Sequence, residues 1–418
     1  DNSDCDDGDA TLNQDDDDSD AYTTCDGDCD DSDSGVNPGA SDGLIVDNNC
    51  DDIADGGSLG DAYAQLVGDG NYDYTGRMVA SAGDVDGDGL DDLLMSAHLD
   101  NAGGSDSGSV HLVLGSSLAS SGSYSLSGSD YKFIGERAYD YAGYGLSGAG
   151  DVDGDGLDDI LIGAHYSDNS GTQSGAVYLI YGSSLSTTRT IDLSQADVIF
   201  YADSNYDLLG RAVAGAGDVD GDGLDDIMMS APYDNDNGYD AGTVYLFLGS
   251  SLGSSSFEDV NDADYVFVGE SSEDLAGWGL AGGGDLDGDG LDDVVIGVPY
   301  EDSGANNAGA AYVILGSSLG SFQEIDLVDA DYKLVGESNG DRAGTWMSIA
   351  GDVDGDGDDD VLVGAWLSNA GGVDSGMGYL LFSSSLGTSS TIDLSQADYE
   401  FVGEGTYDYV GYTVAILG

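Results

Sequence analysis

The sequence predicts an all-β protein, a β-propeller of four-stranded blades, and three observations lead there. First, the string Asp-Val-Asp-Gly-Asp-Gly-Leu-Asp-Asp stands at 84–92, 151–159 and 218–226. It returns with Leu286 at 285–293 and with Asp358 at 352–360, each copy 67 residues after the last. A constant period without insertions marks tandem duplication of one supersecondary unit. Second, every unit holds short apolar runs separated by Gly, Ser, Asn and Asp, the punctuation of strands and tight turns. Third, no stretch shows helical periodicity, and four short strands per repeat match a propeller blade.

Within a unit the elements follow in order. A Gly-containing first strand, such as Tyr144-Gly145-Leu146-Ser147-Gly148, leads into the acidic loop. The second strand is a short apolar run: Leu93-Leu94-Met95, Ile160-Leu161-Ile162, Ile227-Met228-Met229, Val294-Val295-Ile296 or Val361-Leu362-Val363. After about ten small and polar residues comes a third, apolar-aromatic run: 110–114, 176–181, 243–248, 310–315 and 377–382. A Gly-Ser-Ser-Leu-like turn precedes the fourth, as in Tyr131-Lys132-Phe133-Ile134 and Tyr265-Val266-Phe267.

The loop has the chemistry of a calcium site. A hard cation takes six to eight oxygen ligands, and alternating carboxylates supply them. In the first copy the side-chain ligands are Asp84, Asp86, Asp88 and Asp92, with the carbonyl of Leu90 completing the set. The later copies place Asp151, Asp153, Asp155, Leu157 and Asp159; Asp218, Asp220, Asp222, Leu224 and Asp226; then Asp285, Asp287, Asp289, Leu291 and Asp293 in the same roles. The fifth has Asp352, Asp354, Asp356, Asp358 and Asp360. An EF-hand would need a bidentate Glu at position twelve. That position is apolar in all five copies (Met95, Ile162, Met229, Ile296, Val363), so the loop joins strands. An acidic hairpin turn alone would account for one such loop, but not for five with ligand spacing.

These features resemble the FG-GAP repeats of integrin α-subunits and related bacterial surface proteins, over about 62–418. The family's Gly-Ala-Pro element after the second strand appears as Ser96-Ala97-His98, Gly163-Ala164-His165, Ser230-Ala231-Pro232, Gly297-Val298-Pro299 and Gly364-Ala365-Trp366, so Pro is kept in two copies of five. The resemblance implies a propeller with calcium between the first and second strands of each blade, where the ion stiffens and does no chemistry. A fourth-type strand at 63–67 and a first-type strand at 411–417 bracket the array. Five blade units plus a partial one are therefore expected, making six or seven blades if completed. Either the chain continues past Gly418, or its open sheet edges are completed by another copy.

Residues 1–55 read as a separate module and 56–418 as the propeller, because all four cysteines lie in the first. Asp4-Cys5-Asp6-Asp7-Gly8-Asp9 is echoed by Asp28-Cys29-Asp30-Asp31-Ser32-Asp33. Of three possible connectivities, the gaps of 20 and 21 residues favour Cys5–Cys25 and Cys29–Cys50, which fits an oxidising, extracytoplasmic setting. The pattern is similar to acidic metal-binding repeats of bacterial surface proteins and, more distantly, thrombospondin type 3 repeats. That likeness implies calcium at Asp4, Asp6, Asp9, Asp28, Asp30 and Asp33; zinc or redox use of the thiols is the alternative.

Composition bounds the partners. With 83 acidic and 7 basic residues the net charge is −76. Such a field repels nucleic acid and anionic lipid. No apolar run of 18 residues is present, so no membrane span is expected. No nucleophile elbow, His-Glu-x-x-His helix or P-loop occurs, and an enzyme is not expected. Tyr166, Tyr233, Tyr300 and Trp366 follow the second strands and read either as a sugar-binding platform or as packing between blades. A further acid at 67-residue spacing, Asp73, Asp140, Asp207, Asp274, Asp341 and Asp408, reads as a turn cap. The expected function is a secreted or cell-surface, calcium-binding adhesive protein with an extracellular protein or glycan ligand. The alternatives are a self-assembling subunit of an extracellular filament or sheath, and a carbohydrate-binding propeller.

Overall fold

The computed structural model describes residues 64–118, 122–185, 189–202, 204–253, 256–320, 324–349, 351–387 and 389–415. The expected cysteine pairings and the expected metal ligands Asp4, Asp6, Asp9, Asp28, Asp30 and Asp33 lie outside them. The described residues fall into two compact units. One includes 64–66 and 122–124 and contains the pairing of Ala64–Val67 with Gly122–Ser125.

The other unit is a succession of five sheets with one topology. In the first, Val79–Gly83, Asp92–Ala97, Ser109–Val113 and Tyr131–Ile134 pair in antiparallel order. The second repeats this with Gly145–Gly150, Asp159–Ala164, Ala176–Ile180 and Val198–Tyr201. The third uses Val213–Gly217, Asp226–Ala231, Thr243–Phe247 and Tyr265–Val268, and the fourth Gly279–Gly284, Asp293–Val298, Ala310–Ile314 and Tyr332–Val335. Trp346–Ser348, Val361–Ala365, Met377–Leu381 and Tyr399–Val402 make the fifth. No α-helix occurs among the described residues; the turns after the third strands are short 3-10 segments such as Gly182–Ser184.

Two expectations are corrected. Four of the sheets hold five strands, because a three-residue segment of the following repeat adds in parallel to the fourth strand. Thr190–Asp192 joins Tyr131–Ile134, and Phe257–Asp259, Glu324–Asp326 and Thr391–Asp393 join the next three. The expected strand at 411–417 is not formed over its described part, 411–415.

The apolar runs explain the stacking of sheets. Successive residues of a strand point to opposite faces. Ile160 and Ile162 of the second sheet therefore pack with Leu94, Val110 and Phe133 of the first, while Leu161 joins Phe200, Ile227 and Met229 toward the third. In the second, third and fourth sheets the second and third strands are buried along their whole length because both faces meet a neighbouring sheet. Each such aliphatic or aromatic side chain contributes roughly 1.5–3 kcal/mol.

First strands of successive sheets lie side by side around an axis. There backbones approach too closely for side chains. A Cβ on Gly148 would sit 2.8 Å from the Ser81 carbonyl oxygen, and one on Gly282 would sit 2.7 Å from that of Gly215. Glycine in the first strand is thus a packing requirement. Residues of all five first strands, with Val414, enclose a cavity of about 320 Å³ on this axis. Repeated sheets whose inner strands surround an axis are the architecture of a β-propeller.

Candidate functional site

Each acidic loop connects the first strand to the second, so all five emerge at one end of the unit. A bulge at the end of the first strand opens the loop. In the first three blades it places Gly83, Gly150 and Gly217 at φ of 70°, 74° and 72°, where glycine carries no Cβ penalty.

The first Asp organises the turn: Asp84 Oδ1 accepts from the Asp88 N–H at 3.0 Å and Oδ2 from Gly89 at 2.8 Å, and Asp151, Asp218, Asp285 and Asp352 repeat the pattern. The third and fifth residues hold the N–H two positions on, as Asp153 and Asp155 do for Asp155 and Leu157. The ninth Asp is the buried anchor. Asp159 accepts from the Val152 N–H at 3.0 Å and, through its other oxygen, from Gly182 at 2.9 Å. Asp92, Asp226, Asp293 and Asp360 make the same two bonds, tying each loop to the turn after the third strand.

This geometry gathers negative charge. Ligand oxygens of Asp84, Asp86 and Asp92 lie within 4.8 Å of one another, as do those of Asp151, Asp153 and Asp159, of Asp218, Asp220 and Asp226, and of Asp285, Asp287 and Asp289. Burial, with the neighbouring loop aspartates adding to it, pushes Asp159, Asp226 and Asp293 up to about 7 and Asp92 to about 6. Convergent all-oxygen donors whose charges repel one another fit a hard divalent cation.

The eighth Asp, to which sequence reading assigned no role, has another task. Asp158 Oδ2 accepts from the Asp84 N–H at 2.7 Å, and the Asp158 N–H donates back to the Asp84 carbonyl at 3.2 Å. Asp225 bonds Asp151, Asp292 bonds Asp218 and Asp359 bonds Asp285 in the same way. Each of the last four loops is therefore latched to the one before it. The side chain of Asp358 also leans on the preceding loop, its Oδ1 lying where a Gly288 Cβ would be 2.4 Å away.

The opposite end carries the connections after the second strands and before the first strands. Of the turn caps, Asp140 accepts from the Arg137 N–H at 3.0 Å and Asp408 from Gly405 at 2.6 Å. Burial, followed by nearby carboxylates, pushes Asp274 up to about 7. Residues 77, 144, 211, 278 and 412 line one cavity at the axial mouth, where Arg77 stacks over Tyr144 at 4.0 Å and Arg211 over Tyr144 and Trp278 at 4.7 and 4.1 Å. Trp366 packs on Tyr409 and Tyr412, and Tyr300 on Trp278, so these two predicted platform residues serve packing. Asp69, Asp100 and His111 converge as well, but the Lys132 ammonium already bonds both carboxylates; Lys333 does the same for Glu270 and Glu301. Burial, with Lys132 beside it, lowers His111.

The FG-GAP repeat family model matches residues 78–113, 142–180, 209–247 and 276–314. Similar proteins include integrin alpha pat-2 of Caenorhabditis elegans, 34% identical over 248 residues, which are 56% of this chain and 19% of that protein. Integrin alpha-5 of Xenopus laevis is 33% identical over 177 residues, 40% of this chain and 15% of its own length. Phosphatidylinositol-glycan-specific phospholipase D of Dictyostelium discoideum is 31% identical over 244 residues, 54% of this chain and 25% of its own. The chain thus spans about a fifth of the integrin chains it matches. These findings support an FG-GAP, integrin-like repeat protein, and with it a structural or adhesive propeller. No described helix is long and apolar enough to cross a membrane.

Proposed function

We propose that this chain is a secreted or cell-surface, non-catalytic adhesive module. Calcium in each acidic loop stiffens one end of the propeller, and the other end presents the face that holds an extracellular protein or glycan. The observation that carries this reading is the convergence of ligand oxygens in loop after loop, each at 67-residue spacing and each latched to its neighbour. Asp84, Asp86, Asp88 and Asp92, and their counterparts through Asp360, would hold the ion with the carbonyl of the seventh residue. When bound, the ion neutralises the repulsion among carboxylates and fixes the loop between two strands.

The test counts metal per chain by mass spectrometry after dialysis against calcium. Asp153→Ala, which removes one ligand and a single backbone bond, is expected to lower the count by one relative to the parent chain. An unchanged count would overturn the calcium assignment. A second reading is assembly of copies by strand addition, for which the edge strand Tyr399–Val402 would be the acceptor. Light scattering in calcium separates the two: a single-chain mass supports the adhesive module, and an open-ended distribution supports the filament.

A further inference from the structure

We infer that the cavity between the first and second blades, at the end opposite the acidic loops, is a binding site for a neutral saccharide. This deepens the adhesive reading and rests on that end being the ligand face; it needs neither calcium nor secretion.

The cavity, of about 620 Å³, is lined by His98 and His165, by the rings of Tyr139, Tyr141 and Tyr166, and by polar Asp168 and Gln173. Two departures from the repeat stand in its wall. Where the third and fourth blades carry Pro232 and Pro299, and the fifth Trp366, the first two carry histidine. Both imidazoles are buried, and the Nδ1 atom of each has no hydrogen-bond partner. A buried polar atom left unpaired costs roughly 1–3 kcal/mol, a cost the fold carries at both histidines.

The aromatic wall is held in place at some expense. Tyr139 and Tyr141 adopt φ of 71° and 56°, a left-handed backbone that costs a non-glycine residue roughly 1 kcal/mol or more. The counterpart of Tyr139 one blade before the last is Gly340, at φ 81°, so the fold itself does not ask for a side chain there. Tyr139 nonetheless leaves 56% of its surface to solvent, whereas Tyr141 is braced edge-on against Tyr166 at 5.3 Å.

Charge selects among ligand classes. An aromatic pocket in a polyanion would ordinarily suit a cation. Here Arg77 and Arg211 already occupy the Tyr144 ring that lines the same cavity. Burial first, and then Arg77 for His98 and Arg211 with Arg77 for His165, favour the neutral form of both histidines. A second cation would be repelled at short range. An anion meets Asp168 in the wall and a net charge of −76 on approach. What remains is an uncharged ligand with apolar faces for tyrosine and hydroxyls for the Gln173 amide and the Asp168 carboxylate, which is the chemistry of a sugar ring.

The experiment applies the full chain, in calcium, to a printed array of neutral oligosaccharides and titrates the best binder by calorimetry. Tyr139→Gly removes the exposed ring while relieving backbone strain, so it is expected to weaken binding at least tenfold with no loss of thermal stability. The pair His98→Pro and His165→Pro, restoring the residue of the third and fourth blades, should do the same. Tyr206→Gly, the same rim position one blade on, should stay within twofold. A blank neutral array, binding confined to sialylated or sulfated glycans, or a binder indifferent to Tyr139→Gly overturns the site. Capture of a protein fragment that Tyr139→Gly abolishes, with no neutral glycan bound, overturns the saccharide and leaves the adhesive reading standing.

Discussion

The two ends of the propeller unit are built by opposite rules. At the acidic end every blade repeats the same bonds at nearly the same distances, ninth Asp to two backbone N–H groups and first Asp to the fifth and sixth, and in four of the five the eighth Asp bonds the preceding blade. At the other end the same register positions hold different residues, Arg, Tyr and Trp around the axis and His, Pro or Trp after the second strands. Repetition without variation is what a scaffold needs, since each blade must pack on an identical neighbour. Variation within a fixed backbone is what recognition needs, since a ligand has no 67-residue symmetry.

Metal removal should give the largest contrast between the two ends. A site held at about a hundred times its Kd contributes roughly 2.7 kcal/mol, and five loops draw on this together. Chelation is therefore expected to lower the melting midpoint strongly. Amide hydrogen exchange should accelerate at Val152, Gly182 and their counterparts, while the Tyr139 amide, which donates to the Ser105 carbonyl at 2.8 Å, keeps its protection until global unfolding. Uniform acceleration at both ends would dissolve the distinction.

Single substitutions come next in size. Asp159→Ala strands two buried N–H groups, those of Val152 and Gly182, and is expected to cost about 3–5 kcal/mol in denaturant unfolding. Asp168→Ala, on the exposed rim of the opposite end, should change stability by less than about 1 kcal/mol. Similar losses from both would show that the acidic anchor has no special place in the fold.

How much of this was legible in sequence follows from the same division. The loops, the four strands and the ninth Asp were readable because each is a local pattern repeated five times. The added fifth strand escaped because Thr190–Asp192 is only three residues long and pairs with a strand some sixty residues earlier, although the motif Ile-Asp-Leu-Ser-Gln-Ala-Asp recurs unchanged at 191–197 and 392–398. The latch role of Asp158 was hidden because its partner, Asp84, is 74 residues away. The stacked mouth at Arg77, Tyr144, Arg211 and Trp278 has the repeat spacing but alternates arginine with an aromatic residue, so only geometry reveals that these side chains meet.

Acidity probes the variable end at intermediate size. Asp140 is pushed up to about 6, chiefly by burial, with Glu136 and Asp168 adding to it against the opposing Arg137 N–H bond. Its folded value lies above the ordinary 3.8, so the native state holds the proton more tightly than the unfolded chain. The sign is then fixed: this contribution to stability is present near pH 4 and is lost as pH rises through about 6. Asp140→Asn keeps an acceptor for the Arg137 N–H and removes the titration, and should flatten the pH profile of unfolding by about 2 kcal/mol between pH 4 and 8. An unaltered profile would mean that the carboxylate is not strained in the fold.

The smallest effect has the opposite sign and separates display from packing. Tyr206 sits at φ 70° with 59% of its surface exposed, and its N–H donates to the Thr172 carbonyl at 2.9 Å. Tyr206→Gly keeps that bond and removes the left-handed penalty, while the glycine makes the unfolded chain more flexible. The balance is a gain of about 0.5 kcal/mol in chemical denaturation. A loss of more than about 1 kcal/mol would mean that the ring packs on the blade beneath it. The rim tyrosines would then belong to the scaffold, and the division between a repeated end and a variable, displaying end would have to be redrawn one residue further out.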